Sequence, residues 1–289
     1  MPAMKLPARA MSSPAGISAN KTTPDMIILI TGITSGFGRA MAARLSSEGH
    51  KVYGTFRSSS EPLPGVTYIK CEVGDDAQVE AAVKQVLSAE GRIDVFINNA
   101  GMGIGGPLEF SSLEDAQRQM DVNWMGMVRF LHYVVPAMRS QGSGKIICFS
   151  SIGGLMGLPY QGLYSASKYA IEGYCEALRL ELRGTGISVT VVEPGDFSTN
   201  FTASRKSVAG PEVAAAYPNY ARSLASIEHD ENSGLKPEFL AGKISAIVKS
   251  KNPPYNIIIA SFLQKLSVFV KKIVPRRTFA WILSLYYKL

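Results

Sequence analysis

The sequence is poor in the residues that most metal and disulfide chemistry requires. Three cysteines, Cys71, Cys148 and Cys175, stand among 289 residues. They are odd in number and lack any C-x-x-C spacing, which argues against a disulfide framework or a cysteine zinc site and suits a reducing compartment. The three histidines, His50, His132 and His229, are far apart in the chain, which speaks against a metal centre or a Ser-His hydrolase. No apolar run reaches the roughly 18 residues of a membrane-spanning helix. Residues 1–25 lack the apolar stretch of a secretory signal. They are rich in Ala, Ser and Pro with a single acid, Asp25, and read as a disordered extension. An organelle-import peptide is the alternative, with Arg9 as its lone arginine.

Acid is scarce in one region above all. The formal net charge is +7, yet residues 236–289 hold ten Lys/Arg against one acid, while residues 26–235 are mildly acidic. A nucleic-acid reader interleaves its basic residues with its recognition elements; the body here does not, so no nucleic-acid partner is expected. A cytoplasmic protein is expected, with membrane association through the basic tail as the variant reading.

What is present is a strand–helix alternation. Met26-Ile-Ile-Leu-Ile-Thr31 is a continuous apolar run, read as a strand buried on both faces. Gly32-Ile-Thr-Ser-Gly36-Phe-Gly38 follows, and then a helical pattern that Gly49 stops. Glycines let the backbone approach a phosphate, and a helix N-terminus attracts the anion. Further strands are predicted at 51–57, 66–70, 93–97, 145–150, 187–192 and 253–259. Helices are predicted from Asp75 to Gly91, over 113–140 and 163–183, and over 238–249. The alternation implies right-handed crossovers and one parallel sheet. The glycine loop, the Asn98-Asn99 pair, Ser151 and Pro194-Gly195 then all fall at carboxyl ends of strands, the edge where open α/β sheets bind ligands.

Tyr164-x-x-x-Lys168 lies on the 163–183 helix, where i and i+4 share a face. A phenol titrates near pH 10 and needs an adjacent cation to work as an acid or base near neutrality. Ser151 offers a second hydroxyl from the end of the preceding strand. Asn123 sits inside a predicted helix, where a polar residue is unfavourable unless it has a task. About twenty residues past the glycines, an NAD-binding unit offers an acid to the ribose 2′-hydroxyl. Phe56, Arg57 and serines stand there instead. Arg57 can pair with a phosphate, which favours NADP(H) over NAD(H); a solvent-facing arginine at a strand end is the other reading.

Together, Thr31-Gly-x-x-x-Gly36-x-Gly38, Asn98-Asn-Ala-Gly101, Asn123, Ser151, Tyr164-x-x-x-Lys168, Pro194-Gly195 and Thr199 resemble the short-chain dehydrogenase/reductase family over roughly residues 26–200. The run from Ser151 to Pro159 and the helix after Lys168 look most like the branch acting on hydroxysteroids and retinoids, and like bacterial members of unknown substrate. The resemblance implies an α/β fold, a Rossmann-like three-layer doubly wound parallel sheet of about seven strands with helices on both faces. It implies Tyr164 as general acid or base, Lys168 lowering the Tyr164 pKa and holding the nicotinamide ribose, Ser151 bound to the carbonyl oxygen, and Asn123 holding a water toward Lys168. It carries cofactor binding over to Gly32, Thr34, Ser35, Gly36, Phe37, Gly38, Arg57, Glu72, Val73, Asn99, Ala100 and Gly101, to Tyr164 and Lys168, and to Pro194, Gly195, Phe197 and Thr199. No metal is implied. Three features depart from the family: Glu72 where an Asp is usual, Ser35 where many NADP users carry a base, and the 25-residue extension.

The expected organisation is a catalytic unit over 26–260 and a basic apolar helical tail over 261–289. Residues 197–235 lack strong periodicity and are read as a segment closing over the substrate. Phe197, Phe201, Tyr217 and Tyr220 there, with Leu155, Met156, Leu158 and Tyr160, are candidate walls for an apolar alcohol or carbonyl substrate, steroid-, retinoid- or lipid-like. The tail has two readings: a cap on the pocket or a subunit contact, or an amphipathic element in a membrane interface. The wide faces of the two long helices suit a homodimer or homotetramer. The competing functional readings are an NAD-dependent alcohol dehydrogenase of the same fold and a catalytically silent NADP-binding regulator.

Overall fold

The protein was analysed as a computed structural model that describes residues 25–58 and 61–289. The expectation of disorder or import function for residues 1–25 therefore lies, save Asp25, outside the described residues. In chain order the elements are β1 (Ile27–Ile30), α1 (Gly36–Ser47), β2 (Lys51–Phe56), β3 (Val66–Lys70), α2 (Asp76–Glu90), β4 (Val95–Asn98), β5 (Ile104–Gly105), α3 (Leu113–Met120), α4 (Gly126–Gln141) and β6 (Gly144–Phe149). Then follow α5 (Gly162–Glu181), β7 (Ile187–Pro194), α6 (Phe201–Ser204), β8 (Lys206–Ser207), α7 (Pro211–Ala216), α8 (Tyr220–Asn232), α9 (Pro237–Lys249), β9 (Asn256–Ile259), α10 (Phe262–Ile273) and α11 (Arg276–Tyr286).

Seven strands form one sheet in the order β3-β2-β1-β4-β6-β7-β9, and every pairing is parallel. The order reverses between β1 and β4. Alternation along the central strands sends side chains to opposite faces. Leu29 and Phe96 join α2, α4 and α5 in one apolar layer. Ile28, Ile30, Val95 and Ile97 join α1 and α9 in the other. This burial on both faces is why β1 and β4 read as unbroken apolar runs. A smaller cluster puts Val268 and Phe279 of the last two helices against Ile152 and Met156.

Three differences from the sequence expectations matter. The long helix expected over 113–140 is interrupted by a π turn over Asp121–Met125, between α3 and α4. Such turns place a residue off the regular ladder, and the residue here is Asn123. Second, the segment over 197–235 holds three helices and the strand β8, which pairs with β5. Its longest helix, α8, buries only Tyr220, Ser223 and Ile227, too thin a stripe to read from periodicity. Third, the strand expected at 253–259 begins only at Asn256, after the two prolines, which cannot donate to a ladder.

Candidate active site

The carboxyl edge between β1 and β4 is tied together by hydrogen bonds between neighbouring loops. Thr31 Oγ1 accepts from the backbone N–H of Asn99 and of Ala100, both at 2.9 Å. Asn99 Nδ2 donates to the carbonyls of Thr31 and Gly32, also at 2.9 Å. The second asparagine is thus a loop tie, and Thr31 is its partner, a residue that the sequence motif included without a role of its own. Gly36 has a φ of 52°, a left-handed conformation that glycine adopts without strain. A Cβ on Gly38 would stand 2.0 Å from the Gly32 carbonyl oxygen, so this glycine lets α1 approach β1. Ser35 precedes α1 without a side-chain cap, and the first-turn amides of a helix are an anion-binding arrangement.

A cavity of about 920 Å³ opens over this edge. Of the sequence-predicted cofactor residues, Gly32, Thr34, Ser35, Gly36 and Phe37 line it. So do Arg57, Glu72, Val73, Asn99, Ala100, Gly101, Pro194, Gly195, Phe197 and Thr199. Gly38 does not; its place is the helix–strand contact just described. Arg57 and Glu72 face each other at one end, Nε to Oε2 at 3.8 Å. Ser151, Tyr164 and Lys168 lie on the wall.

Lys168 is buried and donates through Nζ to the Phe149 carbonyl at 2.8 Å. Nζ sits 5.6 Å from the centroid of the Tyr164 ring. Ser151 Oγ accepts from the Gly153 N–H at 3.0 Å and donates to the Pro194 carbonyl at 3.5 Å. Burial pushes the Tyr164 phenol up to about 12, and the Ser151 hydroxyl pulls the other way. Burial likewise pushes Lys168 down to about 8, with Cys148 and Glu172 opposing it. In this arrangement desolvation dominates both groups, and the expected lowering of Tyr164 by Lys168 is not among the leading influences on the phenol.

Asn123 is buried away from the cavity wall. Its Oδ1 accepts from the Met102 N–H at 2.8 Å, and its Nδ2 donates to the Met102 carbonyl at 3.1 Å and to Ser167 Oγ at 3.0 Å. Ser167 Oγ in turn donates to the Tyr164 carbonyl at 2.7 Å. Both amide hydrogens are therefore committed, and a water toward Lys168 would have to use an Asn123 carbonyl oxygen.

Further lining comes from the loop between β6 and α5, from the segment after β7 and from the last two helices. Met156, Leu158, Phe197 and Phe201 line the cavity. Four other candidates do not: Leu155 packs in the tail cluster, and Tyr160 meets Tyr217 and Tyr220 at ring distances of 6.1 and 4.8 Å. Helices α10 and α11 contribute Leu263, Leu266, Val270, Phe279 and Leu283, so the tail caps the pocket. It is fastened there by polar contacts. Ser223 Oγ donates to the Tyr287 carbonyl at 2.6 Å, Tyr286 to Asp230 at 2.8 Å, and Lys271 to Tyr169 at 2.7 Å. Gln264 Nε2 donates to Asp196 Oδ2 at 2.5 Å, while its Oε1 accepts from the Asp196 N–H at 3.3 Å. Burial, with Glu231 and Asp230 nearby, pushes the Asp196 carboxyl up to about 7. Asp196 was missed, and only its place after Pro194-Gly195 hinted at it. Ser261-x-x-Gln264 was a readable capping box.

The chain is similar to known proteins in sequence and in fold. The family model described as short chain dehydrogenase matches residues 26–209. The chain is 45% identical over 265 residues to 3-ketodihydrosphingosine reductase of Bacteroides thetaiotaomicron, covering 90% of this chain and 97% of that protein. It is 39% identical to 17-beta-hydroxysteroid dehydrogenase type 1 of Mus musculus, over 78% of this chain and 67% of that protein. Among solved structures, a short-chain dehydrogenase from Streptomyces avermitilis superposes with a TM-score of 0.76 at 26% identity, covering 91% of this chain and 97% of that one.

Proposed function

The chain belongs to the short chain dehydrogenase family, whose members bind a nicotinamide dinucleotide, and from that premise we propose that it is an NADP(H)-dependent reductase of a long-chain 3-keto base. The single observation that carries the reading is the shared cavity. Tyr164, Ser151 and Lys168 line it together with apolar side chains of α10 and α11. The bound dinucleotide supplies the hydride in reduction and takes it up in the reverse reaction.

The chain's own residues do the rest. The glycine cradle, with the uncapped N-terminus of α1, would hold the pyrophosphate; Gly32, Thr34, Ser35, Gly36 and Phe37 form its wall and Gly38 gives it room. Val73, Ala100, Gly101, Pro194, Gly195, Phe197 and Thr199 would bound the rest of the dinucleotide, and Asn99 fixes the loop beside it. Arg57 would pair with a 2′-phosphate, drawing away from Glu72, and Glu72 would then be free for the adenine. A phenol held near 12 is protonated at neutral pH and is therefore a donor to the substrate carbonyl oxygen. Ser151 holds the same oxygen. As the phenol gives up its proton, the Lys168 ammonium behind it stabilises the anion. Asn123 is a positioning residue, holding the Tyr164 turn through Ser167.

A long-chain 3-keto base carries an amino group beside its ketone, and a steroid does not. Asp196 lines the cavity and is close enough to Tyr164 to act on its pKa. A cationic substrate would pair with it and draw it into the charged form. The second reading, a hydroxysteroid substrate, is supported by the similarity to the Mus musculus dehydrogenase. Following NADPH oxidation with 3-ketodihydrosphingosine and with a steroid ketone, in wild type and Asp196→Asn, decides between them. The proposal expects turnover of the keto base and its selective loss in the variant. Turnover of the steroid alone, unaffected by the variant, would overturn it. Self-association through the outer faces of α4 and α5 is part of the same reading and is checked by sedimentation.

A further inference from the structure

Helices α10 and α11 bury one face against the cavity and leave the other bare. Ten of the sixteen large apolar side chains that are exposed among the described residues lie between Phe262 and Leu289. Phe262 is 82% exposed, Ile273 64% and Trp281 62%. A soluble surface rarely gathers apolar side chains so densely without a partner. The charge on the same segment has one sign. Residues 261–289 carry six Lys/Arg, at 265, 271, 272, 276, 277 and 288, and no acid. Five of them are exposed, Lys265, Lys272, Arg276, Arg277 and Lys288. Lys271 instead turns inward to the Leu155 carbonyl and Tyr169.

The patch is continuous with the cavity. Leu263, Leu266, Ile282 and Tyr286 are at once exposed and on the cavity wall. The bare face thus borders the cavity. Neither helix is long enough to cross a bilayer, and no helix among the described residues is both long and apolar enough to do so. The tail is also fastened to the body by the contacts of Gln264, Tyr286 and Tyr287 already described.

We propose that α10 and α11 form a docking collar that seats the cavity mouth on an anionic lipid surface. The apolar side chains enter the headgroup–acyl boundary and the exposed basic residues pair with anionic headgroups. A protein partner would have to offer an extended acidic and apolar face; a bilayer with anionic lipid offers both chemistries everywhere. Docking rests on the bare face alone and not on the substrate assigned above. Only its consequence, that an insoluble substrate passes from the bilayer into the cavity without crossing water, rests on that assignment.

The test uses the full chain without substrate. Wild type, Phe269→Ser/Trp281→Ser and Arg276→Glu/Arg277→Glu are sedimented with vesicles of phosphatidylcholine alone and of phosphatidylcholine with phosphatidylglycerol. None of these four residues lines the cavity. The proposal expects wild type to pellet with the anionic vesicles, less so in high salt. A basic residue near an anionic surface contributes about fivefold in partitioning, so reversing two charges lowers it by more than about tenfold. The apolar double variant should lose binding while keeping its circular dichroism, and Trp281 emission should shift to the blue on vesicles. Wild type remaining in the supernatant, or variants binding as wild type does, overturns the proposal. So does a vesicle-free dimer that Phe269→Ser/Trp281→Ser dissociates, since a second copy would then cover the patch. A failed substrate assignment would leave every one of these binding readouts unchanged.

Discussion

The glycine-loop end of the cavity and the tail end are built by different means. Around β1 and β4 the walls are backbone, and the ties are hydrogen bonds between Thr31, Asn99 and main-chain groups at about the same length. Behind that wall, where α1 packs on the glycine loop, the frame tolerates no added atom, as the 2.0 Å clearance at Gly38 shows. At the other end the walls are side chains of α10, α11 and the segment after β7. A Cβ on Gly195 would meet Gln264 Oε1 at 2.2 Å and Ala260 Cβ at 2.7 Å; both are side-chain atoms, and of the two only the Gln264 end can swing aside. Two acids of the molecule show a like contrast. At the C-terminal end of α1, off the cavity, burial opposes the charge on Glu48, yet hydrogen bonds from Lys249, Ser245 and Arg44 hold it at about 2. At the tail end Asp196 has one side-chain donor, Gln264, and two acids nearby, and stands at about 7. One end is a frame with its polar groups satisfied. The other keeps an unsettled carboxyl facing the cavity, which is where a ligand's charge has something to gain.

The largest effect that separates the two ends is chemical. Tyr164→Phe should lower turnover by about a thousandfold while dinucleotide binding, measured by fluorescence titration, survives. Equal rates in the two proteins would remove Tyr164 from its role and leave the frame a binding device only. Next comes the frame itself. Gly38→Ala should cost about 3 kcal/mol of stability and abolish dinucleotide binding, whereas Gly195→Ala should cost about 2 kcal/mol, because Gln264 can swing aside although Ala260 cannot. Urea unfolding of both variants checks this, and similar losses would erase the distinction between a rigid and a yielding end.

Smaller is the effect of Arg57→Ala, which should cut affinity for NADPH by about tenfold and leave NADH unchanged. An unaltered preference would place the phosphate elsewhere. The smallest effect is in the pH dependence of stability. The Asp196 pKa is raised by folding, so its contribution is fully present below about pH 4 and is lost as the pH climbs through about 7. The Glu48 pKa is lowered, so its contribution is present above about pH 4.5 and is lost as the pH falls toward 2. Asp196→Asn should therefore flatten the decline between pH 4 and 7, and Ser245→Ala should weaken stability at neutral pH more than at pH 2. Asp196 is only half-buried, and with solvent screening its effect is about 1 kcal/mol. Urea midpoints across pH 2 to 8 read both.

The frame was legible in the chain because its signals are local. An apolar strand, a glycine turn and an amphipathic helix are contiguous in sequence, and parallel burial makes β1 and β4 apolar at every position. Tyr164 and Lys168 are four residues apart on one helix, and Ser151 ends the strand before it. The tail end was legible only in part. Its two short helices and their basic edges follow from spacing and charge. That Leu263 and Leu283 face the same cavity as Gly36 does not, because those contacts join positions more than two hundred residues apart.

By itself the sequence determined the parallel sheet, its binding edge and the types of residue gathered there, since each depends on hydrogen-bonding and burial patterns repeated within a few residues. Tertiary structure alone decided three things. Asn123 sits in a π turn, where Met102 of the loop after β4 and Ser167 of α5 capture its amide. Gly38 is a packing position and not part of the cavity wall, because α1 presses on the Gly32 carbonyl. The tail closes the pocket because Gln264 meets Asp196 and Phe279 meets Ile152 and Met156. Each is fixed by long-range contact between surfaces, which no local pattern in a single chain records.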